Sequence, residues 1–286
     1  MDTFKQLINI KLDEYISTHS SDETEVELLK HIFQGGKRLR PMICLAIGQH
    51  FNRHGNEILE IAIAIEMIHN ASLIIDDLPC MDNDEYRRGI LTVHAKYGQD
   101  VAVQIALKLV MNALNKIYSS IGNLPNKMKK IFEANRIVYQ NIGREGLPLG
   151  QFIDLGFLKN HMFTKQSQKN LIFKKTTTLF NLSFLLSYIV FEDDQNKIAI
   201  MEKASKWFGL TFQLYDDFLD VNQDAKANSP NFINQCGEEE AFMLFQKSAL
   251  KCSSYLSQLD LKMIFFDELL QKLEAGVAEA RAQPNL

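Results

Sequence analysis

Glycine and proline are scarce in this sequence of 286 residues, which contains only 14 Gly and 6 Pro. So few turn-forming residues favour long helices over many short strands joined by tight turns. Apolar residues recur at helical spacing along nearly the whole chain, and no run of alternating apolar and polar residues predicts a strand. Internal repeats, low-complexity segments and linkers are also missing. We therefore predict an all-α fold, a single-domain bundle of roughly ten or more helices over residues 1–286.

The sequence also lacks signs of secretion or membrane insertion. Its four cysteines, Cys44, Cys80, Cys236 and Cys252, form no CxxC pair and no metal-binding spacing. The first residues, MDTFKQLINIKLDEY, show an amphipathic helix pattern in place of the apolar core of a signal peptide. The longest apolar run, at 179–191, is interrupted by polar side chains and is too short to span a bilayer. These features predict a cytoplasmic, thiol-reduced protein with no transmembrane segment.

No long block of one charge is present either. The net charge is −4 at pH 7, and basic runs are no longer than two or three residues. Hydrophobic residues at 46% and charged residues at 23% are ordinary for a soluble globular protein. We therefore expect no nucleic acid among the partners.

Helical spacing and end signals place the predicted helices. The stretch 57–77 is apolar on several faces, which indicates a buried central helix, and Pro79 ends it. Ser20 and Glu23 form a possible capping box for a helix that runs to Gln34. The other predicted helices cover about 38–51, 100–121, 126–142, 149–157, 165–191 and 195–222, with two more between 238 and 282.

Two acidic clusters are the most informative motifs: DDLPCMDND at 76–84 and DDFLD at 216–220. Carboxylates this close together beside apolar helix repel one another unless a cation lies between them. Oxygen ligands suit Mg²⁺, which usually completes its shell with water and substrate phosphates. A solvated acidic face would give the same DDxxD letters, but bulky apolar residues flank the second cluster throughout. The two clusters therefore suggest a cavity in which several Mg²⁺ ions hold a diphosphate.

The spacing within each cluster fits this interpretation. Asp216 and Asp220 are one helical turn apart and share a face, on which Gln213 lies one turn earlier. Asp76 and Asp82 are six residues apart and would point in opposite directions on a straight helix. The proline between them lets the chain fold back, so both carboxylates can reach one ion.

Basic residues follow the first cluster directly. The guanidinium groups of Arg87 and Arg88 match phosphate oxygens in geometry. A local salt bridge with Asp84 or Glu85 is the alternative, and it would contribute little if exposed.

A second basic segment, GGKRLRP at 35–41, lies at the start of a predicted helix. Its glycines allow the backbone to approach an anion, and Lys37 and Arg40 add positive charge. A loop cap with two solvent-facing bases would have the same sequence. His69, two turns before Asp76, would by itself most often be a satisfied core residue.

Five segments, in family order, resemble the short-chain trans-isoprenyl diphosphate synthases of the polyprenyl synthetase family. They are GGKRLRP at 35–41, EMIHNASLIIDDLPCMDNDEYRRG at 66–89, GQFID at 150–154, KKTTTLF at 174–180 and FQLYDDFLD at 212–220. The aspartate-rich segments with their flanks are far more specific than a bare DDxxD. The resemblance covers most of the chain and implies helices arranged around a central cavity, and a homodimer.

The resemblance implies a Mg²⁺-dependent prenyltransferase of the geranyltranstransferase or farnesyltranstransferase type. Such an enzyme condenses isopentenyl diphosphate head-to-tail with an allylic diphosphate and releases diphosphate. Of three implied Mg²⁺ ions, two would be bound by Asp76 and Asp82, and the third by Asp216 with support from Asp220. The implied ligands of the allylic diphosphate are Arg87 and Lys175. The implied ligands of isopentenyl diphosphate are Lys37, Arg40, His69 and Arg88. The positions that match the lining of the allylic and metal region are Thr176, Gln213, Gln151 and Asp154.

The segment after the second cluster departs from the family pattern. Most family members carry lysines there that grip the allylic diphosphate, whereas DVNQDAKANSPNFINQCG at 220–237 offers only Lys226, in a different register. We therefore expect weaker allylic diphosphate binding. A non-catalytic or weakly active partner subunit of another synthase is one alternative function, opposed by the complete set of aspartates. A terpene cyclase is another, opposed by the second group of diphosphate-binding residues.

Small residues before the first cluster bear on the length of the product. Ala71 and Ser72 occupy positions where family members that stop at fifteen carbons often have an aromatic residue. In those proteins the ring forms the floor of the cavity that holds the growing product. Their size favours a C20 geranylgeranyl product, with C15 farnesyl close behind. Residues on the following helix, such as Val103, Leu107 or Met111, could form the floor instead.

Overall fold

The computed structural model describes residues 1–20, 22–52, 55–143, 165–227, 231–261 and 264–282, with side chains left out at 165–176 and 223–227. It is 82% helical, and 12 helices lie within these described residues, which confirms the predicted all-α class. The helices are α1 (Asp2–His19), α2 (Glu23–Phe33), α3 (Leu39–His50), α4 (Asn56–Asp76), α5 (Val93–Tyr97), α6 (Gln99–Gly122), α7 (Lys127–Ile142), α8 (Lys165–Ile189), α9 (Gln195–Ala227), α10 (Phe232–Cys236), α11 (Glu238–Gln258) and α12 (Ile264–Ala282).

The chain divides into two compact units, Met1–Ala134 and Asn135–Leu286. The single domain over 1–286 stays a prediction.

The first unit is built around α4. This helix packs against α3 and α6, and every residue from 61 to 68 is buried, as expected for a helix that is apolar on several faces. By length and composition α4 is the one described helix that could cross a membrane, with a mean hydropathy of 1.8. However, 67% of that stretch is buried inside the protein, which is the pattern of a core helix.

The second unit is held together by α8 and α9, which pack along each other. Phe180 on α8 meets Phe208 on α9 edge to face, with ring centroids 5.0 Å apart. Gly209 faces Thr177 so closely that a Cβ at Gly209 would overlap the threonine side chain. The glycine therefore sets the approach of the two helices and, through it, the course of α9 towards its acidic cluster.

Several details of the predicted elements were wrong. The helix α2 is capped by Asp22, whose side chain accepts from the Thr24 backbone N–H at 2.9 Å, while the Ser20 hydroxyl donates to Glu25. Helix α8 ends at Ile189 and not near 191, and α9 continues past 222 to Ala227. The predicted helix at 149–157 lies outside the described residues.

A short hairpin after the first cluster was not predicted. Strands β1 (Tyr86–Arg87) and β2 (Ile90–Leu91) pair antiparallel, with Arg87 opposite Ile90. Two-residue strands are too short to show an alternating pattern, so sequence periodicity gives no signal for them.

Candidate active site

The first acidic cluster is a fold-back turn at the C-terminal end of α4. The Asp82 backbone N–H donates to the Asp76 carbonyl oxygen at 2.9 Å, and Asn83 N–H donates to the Leu78 carbonyl oxygen at 3.1 Å. Pro79 is exposed in this turn, since its ring cannot continue the helix. The chain therefore returns Asp82 to Asp76 as the sequence predicted, with Asp76 buried and Asp82 exposed.

The second aspartate of this cluster binds a basic residue of the hairpin. Arg87 Nε donates to Asp77 Oδ1 at 2.6 Å, and Arg87 Nη2 lies 3.3 Å from Asp84 Oδ2. Asp77 is only 4% exposed; its burial raises the pKa of that carboxyl, and the charge of Arg87 opposes the shift. The local salt bridge with Asp84, left open above, is therefore present, and sequence reasoning missed Asp77 as the main partner.

Two arginines of the first unit, the predicted Arg88 and the adjacent Arg38, lie beside Gly36. Gly36 has a φ of 85°, and a Cβ there would stand 3.0 Å from Arg88 Nη1 and 3.2 Å from Arg38 Nη1. A residue with a Cβ would be strained at this φ, so the backbone conformation favours glycine here. In the described part of the chain, neither Lys37 nor Arg88 forms a salt bridge with a carboxylate.

His69 belongs to the same group. Arg40 Nη1 lies 3.4 Å from His69 Nε2, and because a guanidinium can only donate, Nε2 accepts and Nδ1 carries the proton of the neutral ring. Burial lowers the pKa of His69 well below its usual value, and the charges of Arg40 and Arg88 lower it further. His69 Nδ1 is buried and finds no hydrogen-bond partner among the described residues. This concentration of positive charge beside a neutral donor suits an anion such as a diphosphate.

The second acidic cluster lies on α9 and divides its aspartates in a similar way. Asp216 is half-buried and Asp220 is exposed one turn further on. Asp217 is 3% exposed and accepts from Gln213 Nε2 at 2.8 Å and from the Phe232 backbone N–H at 3.1 Å. Asp217 thus joins α9 to the start of α10, and it engages the amide of Gln213, which was predicted to line the metal region.

Four predicted residues carry no side-chain description. Lys175 and Thr176 lie on α8, where the backbone alone is described. Gln151 and Asp154 lie outside the described residues.

The acidic residues can supply part of the coordination shell of Mg²⁺, but the described residues do not enclose the ion with protein ligands alone. Among the described residues no group of three or more His, Cys, Asp or Glu could hold a metal ion. Mg²⁺ commonly takes one or two carboxylates and fills its remaining positions with water and phosphate oxygens. The pairs Asp76 with Asp82 and Asp216 with Asp220 match that requirement in number and chemistry.

Comparison with known proteins decides the family. Residues 23–254 match the family model described as Polyprenyl synthetase. The chain belongs to the polyprenyl synthetase family. This result confirms the family that the five sequence segments predicted.

Relatives of this chain include geranylgeranyl pyrophosphate synthase, chloroplastic, of Capsicum annuum. The two are 34% identical over 219 residues, which cover 77% of this chain and 59% of the relative. The chain thus spans less than two thirds of the length of that relative.

Solved structures with a similar fold match nearly the whole chain. A geranyltranstransferase from Thermotoga maritima has a TM-score of 0.81 at 28% identity, over 97% of this chain and 98% of its own. A geranyltransferase from Helicobacter pylori, solved in complex with magnesium and isoprenyl diphosphate, has a TM-score of 0.72 at 27% identity, over 97% of each chain.

Proposed function

We propose that this polyprenyl synthetase condenses isopentenyl diphosphate head-to-tail with an allylic diphosphate, forming a C15–C20 prenyl diphosphate and releasing diphosphate. The observation that carries the proposal is that the first unit contains an acidic turn and a separate group of basic residues. Asp76 and Asp82 form an acidic turn suited to a Mg²⁺-bridged diphosphate, while Arg40, Arg88 and neighbours form a basic group suited to a diphosphate without metal. A reaction that joins two diphosphate substrates needs both.

In this proposal the acidic residues hold magnesium and the basic residues hold phosphate. Three Mg²⁺ ions, when bound, would neutralise the charge that develops on the departing diphosphate. The carboxylates of Asp76, Asp82 and Asp216, supported by Asp220, would be their ligands. As the family resemblance implies, Arg87 and Lys175 would bind the allylic diphosphate. Asp77 orients Arg87 by accepting from its Nε at 2.6 Å, so the guanidinium is preorganised before substrate binds.

No side chain of this chain needs to act as a nucleophile. The double bond of isopentenyl diphosphate attacks the allylic cation, and the departing diphosphate takes the final proton. The side chain of His69 is neutral, and through Nδ1–H it can donate to an oxygen of the isopentenyl diphosphate without competing for that proton. Exclusion of water protects the cation from hydrolysis.

The test uses purified protein with Mg²⁺, isopentenyl diphosphate and dimethylallyl, geranyl or farnesyl diphosphate in turn, with the products identified by mass. Elongated prenyl diphosphates support the proposal. A cyclised hydrocarbon would identify a terpene cyclase, and turnover only after a second synthase subunit is added would identify a partner subunit. Cytoplasmic location stays a prediction.

The length of the product is expected to depend on Ala71. Its side chain is 2% exposed on α4, one turn and a half before Asp76, so a ring added there would occupy the space beside the growing chain. We expect Ala71→Phe to shift the product from C20 towards C15, because the phenyl ring would fill the volume that one further isoprene unit needs. Mass analysis of products from wild type and Ala71→Phe measures the shift.

A matched control for this substitution is Ser72→Ala, which removes a hydroxyl that donates to the His69 carbonyl oxygen at 2.8 Å but adds no bulk. Its products should keep the wild-type length. If Ala71→Phe folds, elongates and still yields the wild-type product length, the floor lies elsewhere.

We also propose a homodimer, supported by an exposed apolar stripe on α6. Val103, Leu107 and Met111 share one helix face, and Leu107 is 63% exposed. An uncharged stripe can pair with its own copy about a two-fold axis, and exposed apolar rows of this kind mark interaction surfaces. These positions face solvent in the single chain, so they form no floor for the product unless a second chain covers them.

The homodimer predicts that Leu107→Glu will yield monomers. A charge on each copy would face its own counterpart across the two-fold axis, and like charges repel. Sedimentation at micromolar concentration should show a dimer for wild type and for the control Lys108→Gln. A dimer that persists in Leu107→Glu would exclude α6 as the interface.

A further inference from the structure

Arg38 lies between the two predicted diphosphate ligands Lys37 and Arg40, but its environment differs from theirs. Its side chain is only 4% exposed, whereas Lys37 is exposed and Arg40 is half-buried. A buried guanidinium needs acceptors for its N–H groups. Arg38 therefore bonds to the protein interior, whereas Lys37 and Arg40 are more accessible to a ligand.

The acceptors of Arg38 come from three separate helices. Arg38 Nη1 donates to Glu66 Oε1 on α4 at 2.6 Å, and Nε donates to Asn9 Oδ1 on α1 at 3.1 Å. Nη2 donates to the carbonyl oxygen of Phe33, the last residue of α2. Each guanidinium nitrogen is thus engaged by a protein oxygen, which fixes the planar fork in position.

Glu66 carries the counter-charge and connects it to the site. Its side chain is also 4% exposed, and it accepts from Asn70 Nδ2 at 3.3 Å, one turn along α4. His69 lies three residues after Glu66 on the same helix. The ion pair between Arg38 and Glu66 therefore joins the basic segment 35–41 to the turn of α4 that carries His69.

The backbone of this segment is held in an unfavourable conformation. Arg38 has a φ of 55°, in the left-handed region that residues with a Cβ rarely adopt, and it precedes the first residue of α3. Such conformations persist only where surrounding contacts over-determine them. The guanidinium groups of Arg38 and Arg88 both lie beside Gly36, where a Cβ would stand 3.2 Å from Arg38 Nη1 and 3.0 Å from Arg88 Nη1.

We propose that Arg38, with Glu66 as its partner, is a positioning residue for the binding of isopentenyl diphosphate. It fixes the backbone from which Lys37 and Arg40 extend and holds this segment against the helix that carries His69. The inference rests on the proposed function, because it assigns the isopentenyl diphosphate site to this group of residues.

Single and double substitutions separate positioning from simple structural support. Arg38→Met or Glu66→Leu alone leaves an uncompensated buried charge and should lower the melting temperature. The double variant Arg38→Met/Glu66→Leu removes both charges and should recover much of that loss, since apolar replacements of a buried ion pair are often tolerated. A purely structural role predicts that the double variant also recovers the wild-type KM.

We expect instead that the double variant keeps a KM for isopentenyl diphosphate raised by about tenfold, because a displacement of about 1 Å can cost up to a hundredfold. The KM for the allylic diphosphate should stay within about twofold of wild type, because Arg87 keeps its own partner Asp77. Wild-type values of both KM constants and of the melting temperature in the double variant would overturn the proposal.

Two further variants complete the design. Arg38→Lys keeps the charge but loses the fork, so it should fold with a KM for isopentenyl diphosphate raised several-fold; an unchanged KM overturns the proposal even if the double variant fails to fold. The control is Glu60→Gln, which breaks contacts to Lys11 at 3.3 Å and Lys116 at 2.5 Å elsewhere on α4 and should leave both KM constants unchanged.

Failure of the proposed function would be recognised separately. If wild-type protein does not elongate any allylic substrate, the function is wrong. The positioning role is then tested by titration calorimetry with the unreactive thiolo analogue of isopentenyl diphosphate. Weaker binding by the double variant and by Arg38→Lys than by wild type and Glu60→Gln supports the role, and equal binding or no binding by all four refutes it.

Discussion

Asp76→Asn is expected to lower Mg²⁺-dependent elongation by roughly a thousandfold, the rate equivalent of losing about 4 kcal/mol of charge stabilisation by a bound metal ion. Asparagine has the same size, but its neutral amide is a poor Mg²⁺ ligand. The backbone of the turn should persist, because Asp82 N–H donates to the carbonyl oxygen of residue 76 and not to its side chain. Single-turnover rates with isopentenyl and geranyl diphosphate measure the effect.

A thermal measurement separates loss of metal binding from loss of fold. Without Mg²⁺, Asp76→Asn should melt close to the wild-type temperature, because asparagine has the size of aspartate and the backbone hydrogen bond of the turn does not involve this side chain. Wild type should gain stability from Mg²⁺ together with a bisphosphonate, in proportion to the ligand concentration over its Kd, whereas the variant should gain little.

The matched control is Asp100→Asn, which changes an exposed aspartate in the first turn of α6. It should leave the elongation rate and the Mg²⁺-dependent stabilisation at wild-type values. If Asp76→Asn keeps more than about a tenth of the wild-type rate, Asp76 is not a ligand on which the departure of diphosphate depends.

Asp217→Ala is expected to destabilise the second unit by about 3–5 kcal/mol, because two hydrogen bonds to a buried carboxylate are lost together. The Phe232 N–H, 3.1 Å from Asp217 Oδ2, would stay buried without its acceptor, and Gln213 Nε2 would lose its partner at 2.8 Å. The free energy of unfolding, from urea titration followed by circular dichroism, measures the loss.

Two neighbouring variants make this result specific. Asp217→Asn keeps one carbonyl oxygen of the right size and should lose only about half as much stability. Asp216→Asn changes a half-buried aspartate that we assign to Mg²⁺, and it should reduce elongation with little effect on the free energy of unfolding in the absence of metal. If Asp217→Ala and Asp216→Asn proved equally stable, Asp217 would not be the structural anchor described above.

The helices were predictable because their signals are local. Helix α4 begins and ends within one residue of the predicted 57–77, since apolar side chains on every face and the proline that follows leave few alternatives. Cap residues were less predictable. Asp22 displaced the expected Ser20 at the start of α2, because serine and aspartate compete for the same backbone N–H groups at similar energy.

The residues of the candidate site were predictable from the sequence, but the hydrogen bonds and ion pairs between them were not. The two aspartate-rich segments identified the family, and the fold-back of Asp82 onto Asp76 followed from the proline between them. The partner of Arg87 was placed at Asp84 or Glu85, whereas Asp77 makes the shorter contact. The hairpin that presents Arg87 to Asp77 has strands of only two residues, which are too short to give a periodic signal in the sequence.

Local spacing determined the helical class of this protein and the arrangement of its two acid-rich segments, and the resemblance of five sequence segments identified the family. The tertiary structure decided which aspartate of each adjacent pair, Asp76–Asp77 and Asp216–Asp217, forms hydrogen bonds that stabilise the fold. Consecutive residues on a helix point about 100° apart, so two neighbouring aspartates meet different partners, and a buried carboxylate needs a donor. Packing between distant segments selected Asp77 and Asp217 for that role, as it selected Arg38 from among the basic residues of its segment.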